Sequence, residues 1–126
     1  MQKTSHLPRN VLDEARKLEA DFPNDPVAVF DNSGKYRYAS TRHEKLLGYR
    51  ADELTGGMSW RDLVIQADQR HMDLTWSDAE LNGESIDISV VVRTRGGDEV
   101  KLRGNSRQVV CADGTHYWIT RSWRLP

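Results

Sequence analysis

The 126-residue sequence has a single cysteine, Cys111, and no long apolar run. One cysteine excludes an internal disulfide and a cysteine-based metal site. The longest apolar runs span only four residues, Val27–Phe30 and Val109–Ala112. A membrane-spanning helix needs about 20 apolar residues, and a secretory signal needs about 7–15. We therefore expect a soluble, cytoplasmic protein that makes no contact with a membrane.

Neither sign of charge is in excess. Lys and Arg together number 18, Asp and Glu number 19, and the formal net charge is −1. Because non-specific binding of nucleic acid relies on a basic domain, we exclude nucleic acid as a partner. The length of 126 residues corresponds to one domain, for which about 100–150 residues are usual.

An amphipathic helix is predicted over residues 9–22, ahead of the main domain. Its apolar residues recur at helical spacing along one stripe, which consists of Val11, Leu12, Ala15, Leu18 and Phe22. Pro23 and Pro26 end the helix, because a proline favours extended backbone in the residue before it. We divide the chain into a flanking helix and linker at 1–26 and a domain at 27–126. The stripe must be buried on the sheet, on a second copy of the chain, or on both, and we expect both.

Two periodicities divide the domain. Alternation and turn residues predict a hairpin over 27–39 and three longer strands between 84 and 124. Between them lie short helices, of which the longest begins with Asp68 as its cap and ends near Leu81. Strands at both ends with helices between them indicate an α+β fold, in which one antiparallel sheet is covered by these helices on one face.

The sequence shows no catalytic or metal-binding pattern, and we predict no enzymatic activity. The four histidines match no metal motif. The four tryptophans are more informative, because each buries a large area. Either they pack in a filled core, or Trp76 borders a cavity together with the small strand residues Gly104 and Ser106.

The order of motifs in this chain resembles that of PAS domains. The matching pieces are Leu47-Gly48-Tyr49, Glu53-Leu54-x-Gly56, Trp60-x-Asp62-Leu63, Asp68, Gly83-Glu84, Arg93–Gly97 and Asp113-Gly114. Each motif alone is weak, but their shared order and spacing are specific. The similarity covers about residues 27–124, which is nearly the whole chain outside the first helix.

The chain departs from the family pattern at several positions. Ser40 replaces the usual Asn, Ile65-Gln66 replaces the usual His-Pro, and Gly96 replaces the usual Asp before the hairpin glycine. The Asp-Ile-Thr ending that often leads to an output helix is absent, since residues 120–126 read TRSWRLP. Either the chain was cut from a longer protein, or the domain signals in another way, for example through its N-terminal helix.

The resemblance implies a sensory module of the kind found in two-component signalling. A five-stranded sheet would hold a small, unidentified ligand against the helices, and the domain would act on an output domain or kinase partner. The resemblance assigns the ligand site to Met72, Trp76, Ser106, Trp118 and His71. It assigns a homodimer interface to the helix residues Val11, Leu12, Ala15, Leu18 and Phe22. The alternative is a ligand-free module for dimerisation or protein interaction, with a pocket filled by side chains.

The resemblance leaves the cofactor open between none, a non-covalent flavin and haem. The stretch from Gly56 to Leu63 lacks the cysteine of the photoreceptor type, which argues against a covalent flavin photocycle. A non-covalent flavin would stack on Trp76 and Trp118. Haem would need His71, on the long helix, as its iron ligand. Helical spacing counted back from Gly83, however, places Met72 on the inward face of this helix and not His71.

One structural pair is also implied by the resemblance. PAS domains often join the acidic residue of the Glu-Leu-x-Gly turn to a basic residue at the second hairpin. These residues are Glu53 and Arg95 here. We expect the pair to act as a signalling latch, since exposed ion pairs contribute little to stability.

Overall fold

The computed structural model describes residues 7–83 and 85–126, with a five-stranded antiparallel sheet at the centre. The strands are β1 (Val27–Asp31), β2 (Tyr36–Ala39), β3 (Ile86–Arg93), β4 (Glu99–Val110) and β5 (His116–Arg124). Their order across the sheet is β2-β1-β5-β4-β3. This confirms the predicted α+β fold, in which the first hairpin pairs beside the three long strands. Glu84, from which the alternation predicts the third strand, lies outside the described residues.

The helices divide between the two faces of the sheet. They are α1 (Arg9–Asp21), α2 (Arg42–Leu47), α3 (Ala51–Leu54) and α4 (Gln66–Asn82), with a 3₁₀ turn at Trp60–Asp62. The helices α2–α4 cover what we call the inner face, and α1 covers the outer face. Within residues 7–83 and 85–126, no helix combines the length and the apolarity needed to cross a bilayer.

Local signals in the sequence set several of the helix ends. Gly48 ends α2 in the left-handed region, at φ 83°, and its N–H donates to the Glu44 carbonyl oxygen at 2.8 Å. The hydroxyl of Ser59 caps the 3₁₀ turn by accepting from the Arg61 N–H at 3.0 Å. The start of α4 differs from the prediction. It begins at Gln66, with Ile65 as its N-cap residue.

Asp68 has a different role from the predicted cap. It lies in the first turn of α4, and its Oδ2 accepts a hydrogen bond from the backbone N–H of Val91 at 2.8 Å. Val91 belongs to the edge strand β3, so this N–H has no neighbouring strand to bond to. The carboxylate therefore fastens the long helix to the edge of the sheet instead of starting the helix.

The outer face holds α1 through a small aliphatic contact. Val11 and Ala15 of α1 are fully buried against Val27, Val29 and Ile119 of the sheet. The chain's own sheet thus covers these two helix residues. The expected burial of the stripe on the sheet is confirmed for these two residues, which leaves them no surface for a second copy of the chain in this arrangement. Leu12, Leu18 and Phe22, by contrast, stay partly or largely exposed.

Candidate functional site

A cavity of about 80 Å³ lies between the inner face of the sheet and the helices. Its walls come from all five strands, from α2 and α4, and from the segment around the 3₁₀ turn. The lining residues are Ala28, Phe30, Tyr36, His43, Leu47, Trp60, Leu63, Val64, Met72, Trp76, Ile88, Val90, Val92, Leu102, Gly104, Ser106, Thr120 and Ser122. Most of them are apolar, which is usual for sites that bind small molecules.

Small residues on β4 and β5 create the space. Gly104 pairs with Ser122, and Ser106 pairs with Thr120, so four small residues form one patch of the inner face. A Cβ added at Gly104 would come no closer than 3.9 Å to its neighbours. The hydroxyls of Ser106 and Thr120 hydrogen-bond to each other. We call this patch the floor of the cavity. Larger residues at these positions would fill the space.

Aromatic rings form the opposite wall. Met72 and Trp76 stand one turn apart on α4, which places both side chains on its buried face. The ring of Trp76 stacks on that of Trp60, with centroids 6.1 Å apart and planes inclined by 17°. The ring of Phe30, on β1, meets that of Trp76 edge to face, with centroids 5.8 Å apart. This wall is a rigid apolar surface against which a flat or compact molecule can pack.

Tyr36 and His43 supply polar groups to the cavity. The two rings meet at right angles, with centroids 6.1 Å apart. Nδ1 of His43 lies 2.9 Å from the carbonyl oxygen of Ser40. Ser40 is itself buried and bridges to β1, because its hydroxyl accepts from the Val27 N–H at 3.0 Å. The position of His43 is thus set by a network that joins α2 to the first strand.

Burial governs the ionisation of both groups. It lowers the pKa of His43 to about 4, although the hydrogen bond to Ser40 opposes this shift. Burial, with a smaller contribution from the charge of Asp62, raises the pKa of Tyr36. Both side chains are therefore neutral at pH 7. Among the described residues, no Asp, Glu, Lys or Arg side chain lines the cavity.

The sequence-predicted ligand residues fall into three groups. Met72, Trp76 and Ser106 line the cavity. Trp118 does not; it is fully buried, and its ring packs against that of Trp76 with centroids 5.1 Å apart. Its Nε1 has no hydrogen-bond partner among the described residues. His71 is exposed on α4 and does not reach the cavity, so its inclusion in the set is wrong.

Sequence reasoning missed the two polar residues Tyr36 and His43. A signal for His43 was present, because Leu47 follows it by four residues and so lies on the same face of α2. A histidine and a leucine that share a helix face indicate a buried imidazole. Metal-ligand spacing does not reveal a histidine held by a backbone carbonyl, and this is the environment of His43.

The implied pair between Glu53 and Arg95 is present in the structure. The guanidinium of Arg95 donates to the Glu53 carboxylate. The Arg95 N–H also donates to the Leu47 carbonyl oxygen at 2.9 Å. Its guanidinium carbon lies 5.9 Å from the centre of the Tyr49 ring. The β3–β4 hairpin is therefore fastened to α2, α3 and the loop between them.

Comparison with known proteins identifies the family. The family model described as PAS fold matches residues 36–115, which is more than half of the chain. The chain therefore belongs to the PAS family and has the fold of PAS sensory and signalling domains. No curated protein matches the chain.

Solved structures of PAS domains share this fold at low sequence identity. The PAS domain of a protein from Colwellia psychrerythraea is 17% identical, with a TM-score of 0.74 over 91% of this chain and 97% of that chain. A PAS domain from a two-component sensor histidine kinase is 11% identical, with a TM-score of 0.71 over 93% and 100%. A variant of the Cycle PAS-B domain from Drosophila melanogaster, with bound glycerol, is 14% identical, with a TM-score of 0.73 over 79% and 99%.

Proposed function

We propose that the chain is a non-catalytic sensory PAS domain that binds a small uncharged molecule in the inner-face cavity. The observation that carries this proposal is a cavity with an aromatic wall, a floor of small residues and a buried neutral histidine. Such a combination of apolar surface and few fixed polar groups is typical of ligand sites. A ligand that binds one conformation better than another would shift the equilibrium between them.

The contacts of β5 support the transmission of a structural change from the cavity to the flanking helix α1. Thr120 and Ser122 border the cavity, and Arg121 between them has its guanidinium carbon 3.8 Å from the centre of the Phe22 ring. Arg121 also donates to Asp25 at 2.8 Å and covers the Trp123 ring at 4.4 Å. A shift of β5 at the cavity would therefore move the residues that follow α1.

A homodimer remains part of the proposal, with a smaller interface than the one assigned from sequence. Leu12, Leu18 and Phe22 are the residues of the apolar stripe that stay accessible on α1. In sedimentation experiments, we expect Leu18→Asp to lower the dimer fraction. Lys17→Asp, on the exposed side of the same turn, is the matched control. An unchanged dimer fraction in Leu18→Asp would contradict this interface.

The partner would be an output domain or a kinase. Support comes from the fold shared with the PAS domain of a two-component sensor histidine kinase. A cytoplasmic location accords with such a role and stays a prediction.

Neither haem nor flavin fits the cavity as it stands. Ligand sites for cofactor-sized molecules occupy about 300–1,000 Å³, against about 80 Å³ here. Haem would also need an axial ligand, and His71 of α4 is exposed. We therefore derive no function through either cofactor.

The small volume favours a second candidate, a ligand-free interaction module. Trp60 and Trp76 stack where a larger ligand would otherwise lie. In such a module the cavity would be a packing defect without a ligand. The two candidates differ in whether occupation of the cavity stabilises the fold.

A thermal denaturation experiment separates them. A molecule that binds only the folded state raises the denaturation midpoint, so a panel of short uncharged alcohols, ketones and amides is tested at millimolar concentrations. In a sensor, at least one compound raises the midpoint of the natural protein but not that of Gly104→Leu, which fills the cavity. Asn105→Leu, exposed on the other face, is the control and keeps the response. No rise with any compound would favour the ligand-free module.

A further inference from the structure

We infer that His43 selects the ligand as a hydrogen-bond acceptor, and that the ligand is a compact, uncharged hydrogen-bond donor such as a short-chain alcohol. This inference rests on the proposed ligand-binding function and adds the chemical class of the ligand. Three features of the cavity carry it: the protonation state of one ring, the lack of charge and the volume.

The contacts of His43 determine which ring nitrogen carries the proton. Nδ1 lies 2.9 Å from the Ser40 carbonyl oxygen, which can only accept, so Nδ1 must donate. The imidazole is neutral because burial lowers its pKa to about 4. A neutral ring with its proton on Nδ1 has an acceptor at Nε2. Among the described residues, none donates a hydrogen bond to Nε2.

The orientation of the ring makes Nε2 available to a ligand. His43 borders the cavity, and the edge of the ring that carries Nδ1 is turned towards the backbone of Ser40. The opposite edge, which carries Nε2, is therefore the one that a molecule in the cavity can meet. A ligand that covers this acceptor without donating to it would lose the free energy of the acceptor's hydration, so a donor on the ligand would stabilise the complex.

The electrostatics of the cavity select against ions. The titratable groups in its lining are His43 and Tyr36, both neutral at pH 7, and the charge of Asp62, which acts on Tyr36, lies outside the lining. A carboxylate or an ammonium group would lose its hydration with no opposite charge in the lining to compensate. The ligand is therefore uncharged.

The volume limits the ligand to a few non-hydrogen atoms. An apolar protein cavity of about 150 Å³ is known to hold benzene, and this cavity is about half as large. A ligand of about four non-hydrogen atoms binds at best with a Kd of about 40 µM, given the ceiling on binding free energy per atom. Binding must therefore be measured at millimolar concentrations.

Two probes of nearly equal shape test the role of His43. 2-Propanol donates and accepts hydrogen bonds, whereas acetone only accepts. In NMR titrations of the natural protein, we expect 2-propanol to bind about three- to tenfold more tightly than acetone, which is the effect of one hydrogen bond. In His43→Phe the two probes should bind with about equal affinity. Equal binding of the two probes by the natural protein would overturn the inference while leaving ligand binding intact.

A second measurement needs no variant and so does not depend on the folding of His43→Phe. A long-range ¹H–¹⁵N spectrum of the histidine rings at pH 7 should show His43 protonated at Nδ1 only. Addition of 2-propanol should shift the Nε2 resonance more than addition of acetone does. A proton on Nε2 would overturn the inference. If neither probe perturbs any cavity-lining residue, the proposed ligand-binding function itself fails, and the inference fails with it.

Discussion

The two faces of the sheet are packed in different ways. On the outer face, α1 buries small aliphatic residues, and Val11, Ala15, Val27 and Val29 have no exposed surface. On the inner face, two tryptophans, two other aromatic rings and His43 surround a cavity, and Trp118 packs against one of these tryptophans, Trp76. Small aliphatic side chains interdigitate closely, whereas large rigid rings facing glycine and serine leave a gap.

The difference in packing distinguishes the contact of α1, which is structural, from the inner face, which holds the candidate ligand site. The rim of the outer face is held by ion pairs, from Arg107 to Glu14 at 2.6 Å and from Arg121 to Asp25 at 2.8 Å. These contacts help to keep α1 and the residues that follow it against the sheet. The inner face instead retains unsatisfied hydrogen-bonding capacity at His43 and at Trp118. We therefore expect substitutions between α1 and the sheet to change stability without changing ligand binding, and substitutions on the inner face to change both.

The largest expected effect comes from a charge placed between α1 and the sheet. Val11→Asp buries a carboxylate without a partner, and we expect a loss of about 3–5 kcal/mol in the free energy of unfolding. Urea denaturation measures this loss, and amide hydrogen exchange shows whether α1 loses its protection. Asn10→Asp is the control, because that side chain is exposed on the same turn.

The same variant tests whether the two faces are independent. If they are, the near-ultraviolet circular dichroism of the inner-face tryptophans should persist in Val11→Asp under native conditions. Loss of that signal together with α1 protection would show that the faces form one cooperative unit. A loss of stability below about 1 kcal/mol would contradict the burial of Val11.

Lowering the pH should reduce the free energy of unfolding through protonation of His43 on the inner face. Its pKa is lowered by burial from 6.5 to about 4, so between these values the unfolded chain binds a proton that the folded chain does not. Stability therefore falls as the pH drops from 6.5 towards 4, by about 3 kcal/mol in total. Urea denaturation at a series of pH values measures the slope.

His43→Phe is the control for this pH dependence and should flatten it between pH 6.5 and 4. Carboxyl groups contribute mainly at lower pH. Burial opposes the ionisation of Asp31, yet hydrogen bonds from Ser33 and Lys35 hold its pKa below the ordinary 3.8. Its stabilising contribution is lost only as the pH falls through that lowered value. An equal slope in the natural protein and in His43→Phe would refute the buried neutral imidazole.

Two glycines beside the aromatic wall and the floor should respond in opposite ways. Gly34 has φ +86°, and a Cβ there would lie 2.6 Å from Nε1 of Trp60. We expect Gly34→Ala to lose about 2 kcal/mol through the left-handed backbone and the clash. Gly104 lies in a regular strand with room for a Cβ, so Gly104→Ala should gain about 0.5–1 kcal/mol. Thermal denaturation compares the two, and a stabilising Gly34→Ala would contradict the packing of Trp60.

The fold could be predicted because each strand and helix carries a local signal. Alternation gives the strands, the turn residues separate them, and Gly48 ends α2 where predicted. The errors arose where a side chain serves a distant element. Asp68 has the chemistry of a helix cap, but it accepts a hydrogen bond from β3, which follows much later in the sequence.

The site could be predicted only in part, for a related reason. Helical spacing is enough to turn Met72 and Trp76 inward, and strand alternation is enough for Ser106. Whether an inward residue reaches the cavity depends on how the helices and strands pack. The sequence pattern therefore could not show that His43 lines the cavity and that Trp118 does not. The exposed position of His71 follows from the spacing on α4, which already turned Met72 inward.

The smallest effect on stability is expected at the latch between Glu53 and Arg95. The Arg50 backbone N–H and then the Arg95 guanidinium lower the pKa of Glu53, but both side chains lie at the surface, where water and salt screen the pair. A double-mutant cycle with Glu53→Gln and Arg95→Gln should show coupling near the detection limit in urea denaturation. The latch joins the β3–β4 hairpin to α3 on the inner face, so its loss should instead speed amide exchange in Arg93–Glu99. Unchanged exchange together with zero coupling would leave the pair without a role in fastening the hairpin.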